Sequence, residues 1–229
     1  MRNARSSLFA EAIGTYCLVF AGTGAIVVDQ VTGGKVTGLG ISLVFGFVIL
    51  AMVYALGHVS GAHLNPAVTI GFYSAGRHPG RDVVPYVAAQ VGGAVAASLT
   101  LKLMFIGQST TLGVTLPSGS LLQSFVLEFI MTAVLMFTIM GVATDDRAEG
   151  AMAGIAIGAI VAMEATLGGP ISGASMNPAR SFGPALIVGN LHFQWLYWIA
   201  PILGSMAGAL SYRLVKCPGK AESAKTGCC

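Results

Sequence analysis

The sequence predicts an all-α membrane protein with six transmembrane helices and two re-entrant half-helices, arranged as an inverted repeat. Three observations lead to this fold class. Of 229 residues, 55% are hydrophobic and only 9% are charged, against about a quarter charged in an ordinary soluble domain. Long apolar stretches recur along the chain, and one eight-residue motif occurs twice. A formal charge of +3 leaves no basic surface large enough for nucleic acid.

Six apolar stretches have the length of about twenty residues that crosses about 30 Å of hydrocarbon. They are approximately residues 8–28, 36–57, 83–107, 121–143, 150–168 and 194–215. Two further apolar pieces, 65–75 and 177–188, are about half as long and cannot span alone. Irregular backbone at membrane depth is tolerated only where protein buries it or where it lines a watery cavity. The 31 glycines are expected to let the helices approach closely.

The positions of Lys and Arg predict the orientation of the chain. With six spans and two re-entrant segments, nine loop bases fall on one side: Arg2, Arg5, Arg77, Arg81, Arg147, Arg213, Lys216, Lys220 and Lys225. Lys35 is the one loop base on the other side. We therefore expect an integral protein of the plasma (inner) membrane with both termini in the cytoplasm.

The chain contains an internal repeat. Residues 60–67 and 172–179 agree at six of eight positions, at an offset of 112 residues. Upstream, Glu11 in the first span corresponds to Glu128 in the fourth, at an offset of 117. Each half has three spans and one short segment, so the second half enters the membrane from the opposite side. We expect one channel domain over residues 1–229, with repeats at about 7–107 and 121–215 and a tail at 216–229.

The two repeated motifs share an Asn-Pro-Ala box, which predicts a helix start. Asn is a preferred N-cap, and Pro suits the first helical position because its φ is fixed and its missing N–H is not needed there. The boxes are Asn65, Pro66 and Ala67, and Asn177, Pro178 and Ala179. Two helix N-termini meeting near the midplane would form a barrier to cations, including protons. Each Asn amide group is expected to remain free to donate hydrogen bonds into the cavity.

Four ionisable residues lie at membrane depth on this map: Glu11, Glu128, Glu164 and Arg180. Such groups cost about 2.5 to 3.5 kcal/mol at mid-bilayer, so each needs a partner or water. We expect Glu11 and Glu128 to accept backbone N–H groups of the irregular stretches 57–64 and 168–176. Arg180 stands where the first repeat has Val68, so symmetry does not require it, and a pore-lining role is expected.

These motifs resemble those of the major intrinsic protein family, the aquaporins and glycerol facilitators. The match runs from Glu11 to about Leu214, and the paired boxes are highly specific for the family. The resemblance implies six tilted helices, two half-helices, a homotetramer and one pore per protomer. It implies a passive channel in the lipid bilayer that passes water and small neutral solutes.

The resemblance also implies a four-residue selectivity filter. The matching positions are Phe45 on the second span, Ala165 on the fifth, Ala174 three residues before Asn177, and Arg180. Strict water channels of the family typically have His where this chain has Ala165, which predicts a wider filter. The stretch 169–177 resembles the nodulin-like plant branch and its bacterial relatives, some of which pass glycerol, urea or uncharged metalloid acids. Glycerol facilitators, however, usually have Asp where Ser181 stands here.

Several alternatives remain open from the sequence. A secondary transporter also suits inverted repeats with helix ends at the midplane, but no second polar cluster offers an ion-coupling site. A membrane protein with a closed pore is a further alternative. We expect no enzyme, cofactor or metal, because the chain has no plausible nucleophile and base pair or metal-ligand spacing. Glu164 could reach loop backbone or the pore. His58 and His63 could form a pH gate or simply hydrogen-bonded loop residues.

Overall fold

The computed structural model describes residues 4–108, 110–144 and 150–215. Arg147 and the predicted tail 216–229, with its three cysteines, lie outside the described residues. The described part forms the helices α1 (Ala4–Thr32), α2 (Thr37–Leu56), α3 (Pro66–Ser74), α4 (Gly80–Met104), α5 (Leu121–Thr144), α6 (Ala153–Ser172), α7 (Pro178–Val188) and α8 (Gln194–Val215), with a 3₁₀ turn at Gly150–Met152.

Five of these helices are long and apolar enough to cross a membrane by length and composition: α1, α2, α4, α5 and α6. Helix α8, at 22 residues, is about 33 Å long and completes the six predicted spans. Helices α3 and α7 have 9 and 11 residues, so at about 14 and 17 Å they are too short to cross. The predicted fold class is confirmed.

The end of the fifth span departs from its predicted boundary. The prediction ended that span at residue 168 and treated 168–176 as irregular, but α6 continues to Ser172. Pro170 lies inside the helix near its end, where it removes only one backbone hydrogen bond. Gly173 then stops the helix with a left-handed φ of 85°. The irregular stretch is therefore four residues long, 173–176.

One further base, Lys102, bears on the predicted orientation of the chain in the membrane. Lys102 was included in the third predicted span, but it lies exposed in the last turn of α4, where its ammonium donates to the Ile187 carbonyl at 3.2 Å. Because spans alternate in direction, this end of α4 lies on the same side as Lys35. The bias among loop and helix-end bases becomes nine against two.

The two halves of the chain pack against each other mainly where α2 crosses α6. Gly46 and Gly158 face each other there, and a Cβ atom on either would lie 2.6 Å from the carbonyl oxygen of the other. Only glycine permits this backbone approach, as the glycine content predicted. Within the halves, α1 packs on α4 and α5 packs on α8.

The half-helices cross between the halves. Helix α3 belongs to the first half but packs extensively against α8 of the second, and α7 packs against α4 of the first. Their N-terminal ends point towards the centre of the bundle, where Asn65 and Asn177 each reach the loop of the other half. Each half therefore supplies a wall for the half-helix of the other.

The α2–α6 crossing yields a stability prediction. We expect Gly158→Ala to lower the free energy of unfolding by about 1 to 3 kcal/mol, because its methyl group would overlap the Gly46 carbonyl. Thermal unfolding in detergent, followed by size-exclusion chromatography, measures this. The matched control is Gly169→Ala on the same helix, where a Cβ meets nothing within 4 Å. Equal stability of the two variants would show that the crossing does not depend on the missing Cβ.

Candidate functional site

Two irregular loops, residues 61–64 and 173–176, connect the spanning helices to the half-helices. Both have the same unusual backbone: Ala62 and Leu64 have φ of 47° and 52°, and the repeat-related Ala174 and Met176 have φ of 41° and 52°. For residues other than glycine, such left-handed conformations cost of order 1 kcal/mol or more each. The loops therefore need strong interactions to hold them.

In the first half these interactions come from Glu11, which is fully buried on α1. Its carboxylate accepts the backbone N–H groups of His63 at 2.9 Å and Leu64 at 2.7 Å. It also accepts the Ser60 hydroxyl and the Gln90 side-chain amide, each at 2.7 Å. Four donors surround one carboxylate, which satisfies backbone groups that would otherwise be unpaired inside the membrane.

Glu128 on α5 has the same arrangement in the second half. It is fully buried and accepts the N–H groups of Ser175 at 2.8 Å and Met176 at 2.7 Å, and the hydroxyl of Ser172 at 2.7 Å. The residue related to Gln90 is Pro201, at an offset of 111, so no equivalent of the Gln90 donor is present, and three donors to this carboxylate are found in the described part of the chain. The two loops are thus held in nearly identical but not equivalent ways.

Each loop ends at an asparagine that caps a half-helix. The Asn65 side-chain oxygen accepts from Ala67 N–H at 2.8 Å, and Pro66 is the first residue of α3. The Asn177 oxygen accepts from the N–H groups of Ala179 and Arg180 at 3.0 and 3.2 Å. The helix starts predicted from the two boxes are confirmed. Because the caps lie at the helix N-termini, two positive dipole ends face the centre of the protein.

The asparagine amide groups are less free than the sequence suggested. Asn65 Nδ2 donates to the Met176 carbonyl at 2.7 Å, and Asn177 Nδ2 donates to the Leu64 carbonyl at 2.8 Å. These reciprocal bonds join the two halves at the midplane. An amide nitrogen has two hydrogens, so one donor of each asparagine remains for the cavity. The expectation that the whole amide group is available was wrong, because the left-handed loop residues turn their carbonyls towards it.

A cavity of about 800 Å³ runs along the interface of the two halves. Apolar side chains make up much of its wall, including Leu18, Val68, Leu135, Ile139, Ile157 and Val161. Both capping asparagines line the cavity, and so do three basic or titratable residues, His58, His63 and Arg77. The wall thus combines an apolar surface with a few polar groups at the midplane and at the mouth.

The four positions matched to a selectivity filter all line this cavity: Phe45, Ala165, Ala174 and Arg180. The Arg180 guanidinium carbon lies 5.1 Å from the centre of the Phe45 ring, a cation–π distance. Its Nη1 donates to the Gly113 carbonyl at 2.7 Å. The side chain is thus held between a ring of the first half and a loop carbonyl, and the two alanines contribute only methyl groups.

Glu164 does not line the cavity. It is 2% exposed on α6, and neither carboxyl oxygen has a hydrogen-bond partner within the described residues. It lies close enough to Glu128 for the two carboxyl groups to interact electrostatically. The expectation that Glu164 could reach loop backbone is wrong for the described residues, because Glu128 already takes the nearby N–H groups.

The two loop histidines differ in their surroundings. His58 is exposed at the mouth, whereas His63 is half-buried. The His63 Nδ1 lies 3.1 Å from the Thr69 hydroxyl, and its ring stacks on Phe72 with centroids 4.7 Å apart. The hydrogen-bonded loop residue is therefore the better description of His63.

Three residues that position the site are not predicted from the sequence. Gln90 supports Glu11, and Tyr86 donates its hydroxyl to the Ser60 carbonyl at 2.9 Å. The sequence holds a signal for Tyr86, because the repeat-related residue 197 is also a tyrosine. Tyr197 donates in the same way to the Ser172 carbonyl at 2.6 Å. Gln90 had none, since its counterpart is proline. Gly113 lies in a loop without a motif, and only the fold brings it to Arg180.

Comparison with known proteins gives a consistent result. The family model described as major intrinsic protein matches residues 2–212. Aquaporin NIP1-1 of Oryza sativa subsp. japonica is 50% identical over 213 residues, which cover 93% of this chain and 75% of the relative. Nodulin-26 of Glycine max is 49% identical over 219 residues, covering 96% and 81%.

A solved structure is also similar. The X-ray structure of the aquaglyceroporin from Plasmodium falciparum matches with a TM-score of 0.82 and 26% sequence identity. The match covers 94% of this chain and 98% of that one. The chain thus shares its fold with a protein named for glycerol as well as water.

The unpaired carboxyl of Glu164 yields a prediction. We expect Glu164→Met, which introduces the residue found at the repeat-related Met52, to raise the midpoint of thermal unfolding. The reason is that it removes a buried polar group that has no hydrogen-bond partner in the described part of the protein. Glu128→Met is the matched comparison and should lower the midpoint strongly, because it frees three donors. A lower midpoint for Glu164→Met would contradict the prediction and assign Glu164 a stabilising contact.

Proposed function

The chain belongs to the major intrinsic protein family and forms a passive transmembrane channel for water and small uncharged solutes, and on that basis we propose that it passes solutes as large as glycerol while excluding protons and other cations. The observation that carries this proposal is the composition of the filter. Two of its four positions, Ala165 and Ala174, have side chains of a single methyl group.

The proposed filter suits a polyol or urea. The ring of Phe45 gives an apolar wall for a carbon skeleton, and the guanidinium of Arg180 gives hydrogen-bond donors for hydroxyl or carbonyl oxygens. The small alanines leave room for a solute wider than water. The structural similarity to a protein named as an aquaglyceroporin supports the same solute class.

Cation exclusion is proposed to have two sources. Each half-helix end carries roughly half a positive charge, and the two ends face one point of the cavity. The fixed charge of Arg180 adds to this barrier. At the midplane, a water oxygen can accept from the remaining amide hydrogens of Asn65 and Asn177. That orientation of the water disfavours proton transfer along a row of water molecules in the pore.

We further propose that this single channel domain lies in the plasma (inner) membrane, with both termini in the cytoplasm, as a homotetramer. The bias of nine bases against two supports the orientation. Large exposed apolar side chains, among them Phe9, Val84 and Leu122, suit contact with lipid or neighbouring protomers. Terminal reporter fusions test the orientation, and crosslinking in the membrane tests the tetramer.

The proposed role of Arg180 predicts a change in ion exclusion rather than in folding. In vesicles loaded with a pH dye, the unmodified channel should carry water without proton leak. Arg180→Val, which introduces the residue of the first repeat, should still assemble and should raise cation leak several-fold, because a fixed charge is removed. The control Arg81→Val alters an exposed surface base and should leave the leak unchanged. Loss of assembly in Arg180→Val would instead identify Arg180 as a structural residue.

The proposed width of the filter predicts the solute range. Vesicles containing the protein should admit glycerol and urea measurably faster than empty vesicles in light-scattering experiments. Ala165→His should narrow the filter and suppress both solutes, while water flux stays within several-fold. The matched control Ala159→Ser changes a residue of the same helix that does not line the cavity. Complete exclusion of glycerol and urea by the unmodified protein would refute the wide filter.

A further inference from the structure

The segment between α4 and α5 passes over the filter and is tied down at both ends. We call residues 111–118 the strap. At its start, the Gln30 side chain donates to the Thr111 hydroxyl at 2.8 Å and accepts the Thr111 N–H at 3.1 Å. At its end, the Ser118 N–H donates to the Ile171 carbonyl at 2.8 Å. The strap is therefore in place to act on the filter.

The strap reaches the filter through one carbonyl group, that of Gly113. Leu112 and Gly113 both have left-handed backbones, with φ of 50° and 70°, and this geometry turns the Gly113 carbonyl to Arg180 Nη1. Within residues 4–108, 110–144 and 150–215, no other hydrogen-bond acceptor of the Arg180 side chain is found, and Arg180 Nε has no partner. The position of the guanidinium thus depends strongly on one loop carbonyl.

Two residues after Gly113, the strap makes a buried hydrogen bond. The Thr115 hydroxyl donates to the Ser181 hydroxyl oxygen at 2.7 Å, and both residues are almost completely buried. Ser181 directly follows Arg180 in α7. The Arg180 side chain, residues 113–115 and the Thr115–Ser181 bond therefore form a closed ring, which restricts how far the Gly113 carbonyl can move.

The Ser181 hydroxyl also connects to the second Asn-Pro-Ala box. Because it accepts from Thr115, its own proton is available to the neighbouring Ser175 hydroxyl, which it contacts. Ser175 in turn donates to the Asn177 carbonyl at 2.9 Å. One directional chain of hydroxyl groups thus joins the strap, the residue beside Arg180 and the start of α7.

In the first half, the contact between a loop residue and a hydroxyl of the half-helix is kept, but that hydroxyl has a different second partner. Thr69 is the repeat counterpart of Ser181, and it contacts His63, the counterpart of Ser175. The second partner of the Thr69 hydroxyl is the Gln90 side-chain amide, which donates to it at 3.0 Å, rather than a loop hydroxyl. Among the described residues, a hydrogen bond from a loop hydroxyl to the half-helix hydroxyl is therefore found in the second half, which carries Arg180.

We propose that Thr115 and Ser181 are positioning residues for Arg180: their hydrogen bond holds the Gly113 carbonyl in place and thereby sets the selectivity of the filter. This inference rests on the filter proposed above. Removal of either hydroxyl loosens the middle of the strap around Gly113, lets the guanidinium leave its place beside Phe45, and changes the range of permeating species while the bundle remains folded.

The test measures the ratio of glycerol to water permeability and the cation leak of proteoliposomes. Thr115→Val is nearly isosteric and removes the donor, and Ser181→Ala removes the acceptor. Each should change the ratio or the leak several-fold. Ser181→Ala also removes the contact with Ser175, so the double variant should be no worse than Ser181→Ala alone, because the Thr115–Ser181 bond is already broken there. Thr115→Ser keeps the hydroxyl and should retain the selectivity of the unmodified channel. Thr132→Val removes a buried hydroxyl that bonds within its own helix, and should change neither quantity.

Arg180→Val, measured in parallel, separates the two hypotheses. If Arg180→Val changes neither the ratio nor the leak, the proposed filter itself is wrong. If Arg180→Val changes them but assembled Thr115→Val and Ser181→Ala do not, only the positioning role is overturned. Failure of both hydroxyl variants to assemble would also overturn it, because the bond would then be a requirement for folding. Loss of selectivity in Thr115→Ser equal to that in Thr115→Val would have the same effect.

Discussion

The structure depends first on two buried carboxylates, Glu11 and Glu128, which hold the loops beside the midplane. Neither loop has regular secondary structure, and each contains two non-glycine residues in left-handed conformations. The N–H groups of such backbone need acceptors inside the membrane, because irregular loops do not supply them through regular helix or strand hydrogen bonds. Each carboxylate accepts two consecutive loop N–H groups and a serine hydroxyl. The cost of a buried charge is thus offset by the donors that surround it.

The loops determine the rest of the pore because they set where the half-helices begin. With the loops held, Asn65 and Asn177 cap α3 and α7 and also bond across to the opposite loop. Displacement of either loop would therefore move both capping residues. Since α3 packs on α8 and α7 on α4, neither half can form its part of the pore alone. The polar part of the cavity at the two asparagines is a joint product of the two repeats.

The proposed selectivity depends on a position at which the two repeats differ. In each half a loop residue contacts a hydroxyl of the half-helix: His63 contacts Thr69, and Ser175 contacts Ser181. Arg180, however, replaces the apolar Val68, and it is held by a loop carbonyl from outside the repeat. Symmetry therefore accounts for the fold and for the opposed helix ends, whereas the fixed positive charge of the proposed filter comes from a departure from symmetry. The strap contacts Arg180, the residue at which the halves differ.

The sequence by itself determined the six spans, the two half-helices, their Asn-Pro caps and the inverted relation of the halves. These follow from apolar length, local capping chemistry and a repeated motif, each of which can be recognised from the order of the residues without knowledge of contacts between distant segments. Only the tertiary structure decided that each asparagine gives one amide hydrogen to the opposite loop, that Glu164 finds no hydrogen-bond partner among the described residues, and that Gly113 holds Arg180. Gly113 and Arg180 are 67 residues apart. The physical reason is that these contacts join backbone carbonyls and side chains from distant segments, and a carbonyl group carries no signature in the sequence.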